Sequence, residues 1–217
     1  MKNINGVEIL ESLDEIVRPA HSSLVLWDVQ NGLVDRIFNR EEFLTNLRRL
    51  AESLRGMIPL FYTLHTPLPP ELRSGWNYGS MMRRFGVSDP AKLPVFMAPG
   101  TKDREIPDAI SPRPGDVQFE KATPNIFLGT NFETMLRNRG IQTVIFTGIA
   151  TEMGVEHSVR DAAARGFYPV VVTDCVSTMD PEAHQRSLTT MNRLAVTATS
   201  KEVIQATHPA SGLSKKP

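Results

Sequence analysis

The chain has 217 residues, 24 basic and 24 acidic side chains, and a hydrophobic fraction of 41%. These values fit one globular domain and exclude a collagen-like, coiled-coil or wholly disordered chain. A formal net charge of zero leaves no basic excess for phosphate neutralisation, so nucleic acid is not an expected partner. No apolar run approaches the ~20 residues of a membrane-spanning helix, and Met1–Gly6 has no apolar signal-peptide core, so no membrane is expected either. The single cysteine, Cys175, excludes an intrachain disulfide and a cysteine zinc cluster. A soluble, cytoplasmic protein is the expectation, with one domain over residues 1–210 and a disordered polar tail over 211–217.

The elements alternate. Ser23–Trp27 is a short apolar run that predicts a buried strand, ending at Asp28. Asn39–Arg55 places Phe43, Leu44, Leu47, Leu50 and Leu54 at helical spacing, with Gly56 as a stop. Ile58–Leu64 and Val117–Glu120 predict the second and third strands. Thr130–Arg139 predicts a helix with Thr130 and Glu133 as a capping box and Gly140 as the stop. Thr143–Thr147 predicts a fourth strand, Val155–Arg165 a helix stopped by Gly166, and Pro169–Thr173 a fifth strand. Pro181–Leu194, Ala195–Thr199 and Ser200–Ala206 predict a helix, a sixth strand and a last helix. Strands that are continuous apolar runs separated by helices imply an α/β fold: a mostly parallel six-stranded sheet covered on both faces. Thr66–Gly115 breaks the rhythm, with most of the prolines and only a short predicted helix over Ser80–Phe85. A stretch that long is expected to serve as a pocket wall, a lid or a partner contact.

In such sheets the ligand site lies outside the carboxyl ends of the strands. Asp28, His65, Lys121, Gly148–Gly154 and Asp174–Cys175 occupy those places. Asp28 suits general acid–base work if its apolar surroundings desolvate it, or it caps the following turn. Lys121 either pairs with Asp28 or faces solvent. Thr147–Val155 runs strand, tight glycine turn and helix start, whose free N–H groups form an anion or oxyanion site. Its glycine spacing fits neither a dinucleotide fingerprint nor a phosphate loop. The histidines show no metal-ligand spacing, so no metal and no cofactor is expected. No nucleophile elbow built on serine is present.

Three stretches together resemble the isochorismatase-like, or cysteine hydrolase, superfamily. They are Leu24–Asn31, with Asp28 and Gln30; Phe119–Lys121, followed by Asn125–Thr130; and Thr147–Thr151, followed by Gly154–Glu156 and Arg160–Ala162. The resemblance spans about residues 23–204. It implies a three-layer α/β sandwich, a small-molecule substrate and a homodimer or homotetramer. It also implies a triad of Asp, Lys and Cys, in which Asp28 and Lys121 fill the first two places. A cis peptide between Ile149 and Ala150 and an oxyanion site at the N–H groups of Ala150 and Gly154 follow from it too. Trp76, Phe127 and His157 are expected to wall the pocket.

The sequence departs from that pattern at one place: Gly154 stands where the family has its nucleophilic cysteine. Glycine has no group with which to attack, so thiol catalysis at that position is excluded. Three readings follow. One is non-covalent hydrolysis of an enol ether, as the resemblance to the isochorismatases proper implies, with Asp28 as general acid and Lys121 setting its protonation state. The second is an amidohydrolase of C–N bonds whose cysteine is replaced by Gly154, in which case Gly154→Cys should raise amidase activity. The third is a ligand-binding protein without catalysis. Cys175 is expected to be a buried core residue, since no helix start lies beneath it to stabilise a thiolate.

Overall fold

A computed structural model describes residues 2–208. The tail expected over 211–217 lies outside them. The chain opens with a small antiparallel hairpin, β1 (Lys2–Ile4) and β2 (Val7–Ile9), and a one-turn helix α1 (Leu13–Ile16). These three elements have no counterpart among the predicted ones, because none carries a long enough apolar period.

β3 (Ser22–Trp27) follows, then a short helix α2 (Asn31–Val34), the long α3 (Arg40–Leu54) and β4 (Leu60–His65). α4 (Gly75–Phe85), β5 (Val117–Lys121), α5 (Phe132–Asn138) and β6 (Thr143–Ile149) come next. A π-turn (Thr151–Val155) leads into α6 (Glu156–Ala164), and β7 (Tyr168–Ser177), α7 (Pro181–Met191), β8 (Val196–Ala198) and α8 (Ser200–Thr207) complete the domain.

The six main strands form one sheet in the order β5-β4-β3-β6-β7-β8, with every pairing parallel. Alternation along β3 divides the core between the two faces. Leu24 and Leu26 pack with Leu47, Leu50 and Leu54 of α3 and Val203 of α8. Val25 and Trp27 point the other way, to Phe132 and Leu136 of α5 and Val159 and Ala162 of α6. Helices on both faces of a buried parallel sheet make the expected three layers.

The chain leaves the middle of the sheet in opposite directions: β3, β4 and β5 run outward one way, β6, β7 and β8 the other. β3 and β6 are therefore the strands at the reversal, and in sheets of this kind ligands bind outside the carboxyl ends of the strands at that point. Asp28 leaves β3 there, and the Gly148–Gly154 turn leaves β6.

Three expectations need correction. The helix expected from Thr130 begins instead after Asn131, and no capping box forms. Thr130 Oγ1 still accepts from Phe132 N–H, while Glu133 turns outward to Arg137 and Arg165. β7 runs on to Ser177, because its register against β6 jumps from Phe146↔Val171 to Gly148↔Val176. Cys175 thus lies within that irregular strand rather than after it. The segment 66–115 is more structured than its prolines suggest, holding the eleven-residue α4 and several single 3-10 turns.

Candidate active site

Trp27 and Gly148 face each other across β3 and β6. A Cβ on Gly148 would stand 2.1 Å from the Trp27 carbonyl oxygen, so only glycine permits the two backbones to close up here. Beyond that point β3 ends abruptly. Asp28 takes φ +48°, a left-handed conformation that Asp tolerates better than most residues. This turn directs the carboxylate sideways to β4 and β5 rather than along the strand.

Both carboxylate oxygens are used. Thr63 Oγ1 of β4 donates to Asp28 Oδ1 at 2.6 Å and accepts from Asp28 N–H at 3.0 Å. Lys121 Nζ, at the end of β5, donates to Asp28 Oδ2 at 2.6 Å. The Lys121 and Asp28 side chains are only 1% and 8% exposed, so the ion pair is almost fully removed from water. Lys121 Nζ also stands 3.7 Å from the centre of the Trp27 ring, a close cation–π contact. Burial pushes the proton affinity of Lys121 down, and the attraction of Asp28 opposes that only in part. The proton on Nζ is therefore held less tightly than on a solvated lysine, and it lies on a short hydrogen bond to a carboxylate.

His65 ends β4 directly beside Lys121 in the sheet register. Burial lowers its proton affinity, with Asp28 pulling the other way and Lys121 and Arg84 adding to the depression. It therefore rests as a neutral imidazole at neutral pH. Gln30 fixes this strand end: its Oε1 accepts from His65 N–H at 2.7 Å, and its Nε2 donates to the His65 carbonyl. Gln30 Nε2 also donates to the Arg104 carbonyl, Asn31 Nδ2 to the Lys102 carbonyl, and Asn31 N–H to the Glu105 carbonyl. Residues 102–105 of the long segment are thereby strapped across the loop that follows Asp28. Arg104 holds Glu120 from the same strap.

The turn after β6 supplies the opposite wall. The Ile149–Ala150 peptide is cis, at the bond expected from the resemblance. Thr151 Oγ1 hydrogen-bonds His184 Nδ1, and Ser187 Oγ donates to the Thr151 carbonyl, so α7 holds the turn from behind. Ser158 Oγ donates to the Gly154 carbonyl and accepts from Ile126 N–H. Asn125 Nδ2 donates to Asp161 Oδ2. The Asn125 and Asp161 motif residues thus tie α6 to the loop after β5. Gly154 is buried, and a Cβ built there would stand 2.1 Å from Trp27 Nε1.

The structure brings together Asp28, Lys121, Trp27 and Gly154, with Ala150 in the same turn. Three residues expected in the wall are elsewhere. Phe127 is core, packed against Phe132 and Phe167 with the Arg165 guanidinium over its ring. Trp76 is 72% exposed on α4, covered on one face by Arg83. His157 is exposed on α6, because its position in that helix turns it away from the buried Ser158 and Val159. Cys175 is fully buried, and burial together with Asp174 pushes its thiol well up. Asp174 itself accepts from Ser200 N–H and Oγ at the start of α8, whose cap is Thr199. Thr63 was not singled out from sequence; a threonine inside an apolar strand carries no signal that its hydroxyl meets the carboxylate of a neighbouring strand. Among the described residues, no group of three or more His, Cys, Asp or Glu side chains is arranged to hold a metal ion. None of the helices among them is long and apolar enough to cross a membrane.

These features define a three-layer α/β protein with a buried carboxylate–lysine pair at the switch point of its parallel sheet, beside a glycine turn that opens a helix. The chain belongs to the isochorismatase family: the Isochorismatase domain model matches residues 22–202. It is 37% identical over 188 residues to the ureidoacrylate amidohydrolase RutB of Agrobacterium fabrum, covering 79% of this chain and 82% of that protein. Among solved structures it is similar to an isochorismatase family protein of Burkholderia thailandensis. That match has 27% identity and a TM-score of 0.71, over 87% of this chain and 96% of the other. It is also similar to the N-carbamoylsarcosine amidase of Thermoplasma acidophilum, at 26% identity and a TM-score of 0.63, over 83% and 96% of the two chains.

Proposed function

We propose that this hydrolase works without a covalent intermediate, Asp28 and Lys121 handling the proton while water supplies the oxygen. The observation that carries the proposal is the buried Asp28–Lys121 pair beside a position, Gly154, that has no side chain. The first substrate class is an enol ether of a small metabolite. The Lys121 proton passes along the 2.6 Å hydrogen bond to Asp28, and Asp28 delivers it to the vinyl carbon. The resulting oxocarbenium ion takes up water at the adjacent carbon. The water's surplus proton returns to the pair, and the hemiketal collapses to a ketone and an alcohol. One water is consumed and the pair is regenerated. For a carbonyl substrate, by contrast, the N–H groups of Ala150 and Gly154 would hold the oxyanion that forms as water adds.

The relatives' names favour a second substrate class, a C–N bond as in a ureido or carbamoyl acid. Here Asp28 takes a proton from water as the water adds to the carbonyl, and the pair returns it to the departing nitrogen.

The test is a panel of enol ethers and of ureido and carbamoyl acids, assayed on the unmodified protein and on Asp28→Ala. Turnover of either class that disappears in Asp28→Ala supports the proposal, and the class turned over selects between the two substrates. Tight binding with no turnover of any member overturns it in favour of a binding protein. A covalent adduct trapped during turnover overturns it in the other direction.

A further inference from the structure

We infer that Trp27 and Gly154 are a sterically matched pair: the indole fills the seat that a side chain at 154 would need, and so excludes one there. A Cβ on Gly154 would stand 2.1 Å from Trp27 Nε1, 2.3 Å from Cε2 and 2.5 Å from Cζ2. These are consecutive atoms along one edge of the indole. All three distances lie far inside van der Waals contact, so even alanine does not fit unless the ring moves.

The ring has little freedom to move. Trp27 is 1% exposed and packed in the cluster that holds Val25, Phe61, Val155 and Val159. Its own carbonyl is clamped against Gly148, and Lys121 stands over its face. Native cores transmit such overpacking as strain rather than absorbing it. The glycine at 154 has no left-handed backbone to explain it, since it is not among the residues with positive φ. Space alone requires it.

The chemical consequence rests on the non-covalent hydrolase proposed above; the steric one does not. The group standing at the seat is an indole edge, whose N–H donates and cannot attack. It closes that side of the reacting carbon to a nucleophile from residue 154 and leaves the Asp28 side as the approach for water. A thiol restored at 154 alone would therefore not produce a working thiol site, contrary to the expectation drawn from sequence.

A double-mutant cycle on thermal stability tests the pairing without reference to turnover. Gly154→Ala in the natural background should lower Tm by roughly 2–12 °C, the range expected for overpacking in a domain of this size. In a Trp27→Val background the same change should leave Tm unchanged or raise it, since alanine is the better helix former once the space is free. Trp27→Phe serves as the background if Trp27→Val does not fold. An unchanged Tm for Gly154→Ala in the natural protein, or an equal loss in both backgrounds, overturns the inference. Iodoacetamide labelling mapped to residue 154 gives a second readout. Trp27→Val/Gly154→Cys should label at least tenfold faster at 154 than Gly154→Cys alone, and equal rates would count against the pairing. Failure of the unmodified protein to hydrolyse any substrate would overturn the proposed reaction and leave this cycle standing.

Discussion

Asp28→Ala removes the only anion among the described residues that is bound to the Lys121 ammonium, which is 1% exposed. Deleting one partner of a buried pair leaves an uncompensated charge and typically destabilises by about 3–5 kcal/mol. At roughly 2–4 °C per kcal/mol for a domain of this size, Tm should fall by about 6–20 °C near neutral pH. Lys121 has an escape, because it can give up its proton. Burial already lowers its proton affinity, and losing the attraction of Asp28 lowers it further. Below the folded value of the variant, folded and unfolded chains both carry the proton and the penalty is complete. Between that value and the ordinary lysine value, the unfolded chain binds more protons than the folded one, so the variant gains stability as pH rises. The stability gap between Asp28→Ala and the natural protein should therefore narrow on the alkaline side. Asp28→Ala/Lys121→Met should recover part of the loss at neutral pH, since it removes the orphan charge as well. Urea or thermal unfolding across pH 6 to 10 reads all three outcomes. A loss below about 1 kcal/mol, or a gap independent of pH, would refute the buried-pair argument.

Catalysis that draws on the Lys121 proton should decline with rising pH at a value below that of a free lysine, and Lys121→Arg should move that limb upward; a pH profile of kcat/KM measures both. Iodoacetamide should neither label Cys175 in the native protein nor inactivate it, because the thiol is buried and its pKa raised; rapid native inactivation with label at Cys175 would contradict this. Gln30→Ala should loosen both the end of β4 and the strap over 102–105, raising KM more than it lowers kcat, as steady-state kinetics would show. His65 and His184 both have lowered proton affinities, so stability should fall as pH drops below the ordinary histidine value; His65→Gln should flatten that acid limb in unfolding experiments.

The layout of the sheet was legible because its central strands β3 and β6 are buried on both faces and read as largely apolar runs, while β5, an edge strand, alternates half-buried and exposed residues. The hairpin over residues 2–9 was not, since its residues are mostly exposed and its strands are three residues long. Asp28 and Lys121 could be placed at strand ends from sequence. Their pairing depended on β4 lying between their strands and on the turn at Asp28 that swings the carboxylate across it. Phe127, Trp76 and His157 were misplaced for a common reason: an aromatic or imidazole near a motif looks the same in sequence whether it faces the crevice, the core or solvent.

Trp27 shows where sequence reasoning stops. As a strand residue it is expected to be buried, and alternation with Leu26 settles which face it takes. That face carries α6, whose preceding turn brings Gly154 over the end of β6. Only the combination of register, the close approach at Gly148 and the reach of an indole places Nε1 where a side chain at 154 would begin. A missing thiol at 154, taken alone, is the loss of one functional group. Taken with a tryptophan filling the same volume, it is a repacked site, and one substitution does not reverse it. The difference decides which experiment is informative: Gly154→Cys by itself tests whether the pocket tolerates a side chain, and only the exchange of both residues tests whether this fold, with Asp28 and Lys121 in place, can still activate a thiol.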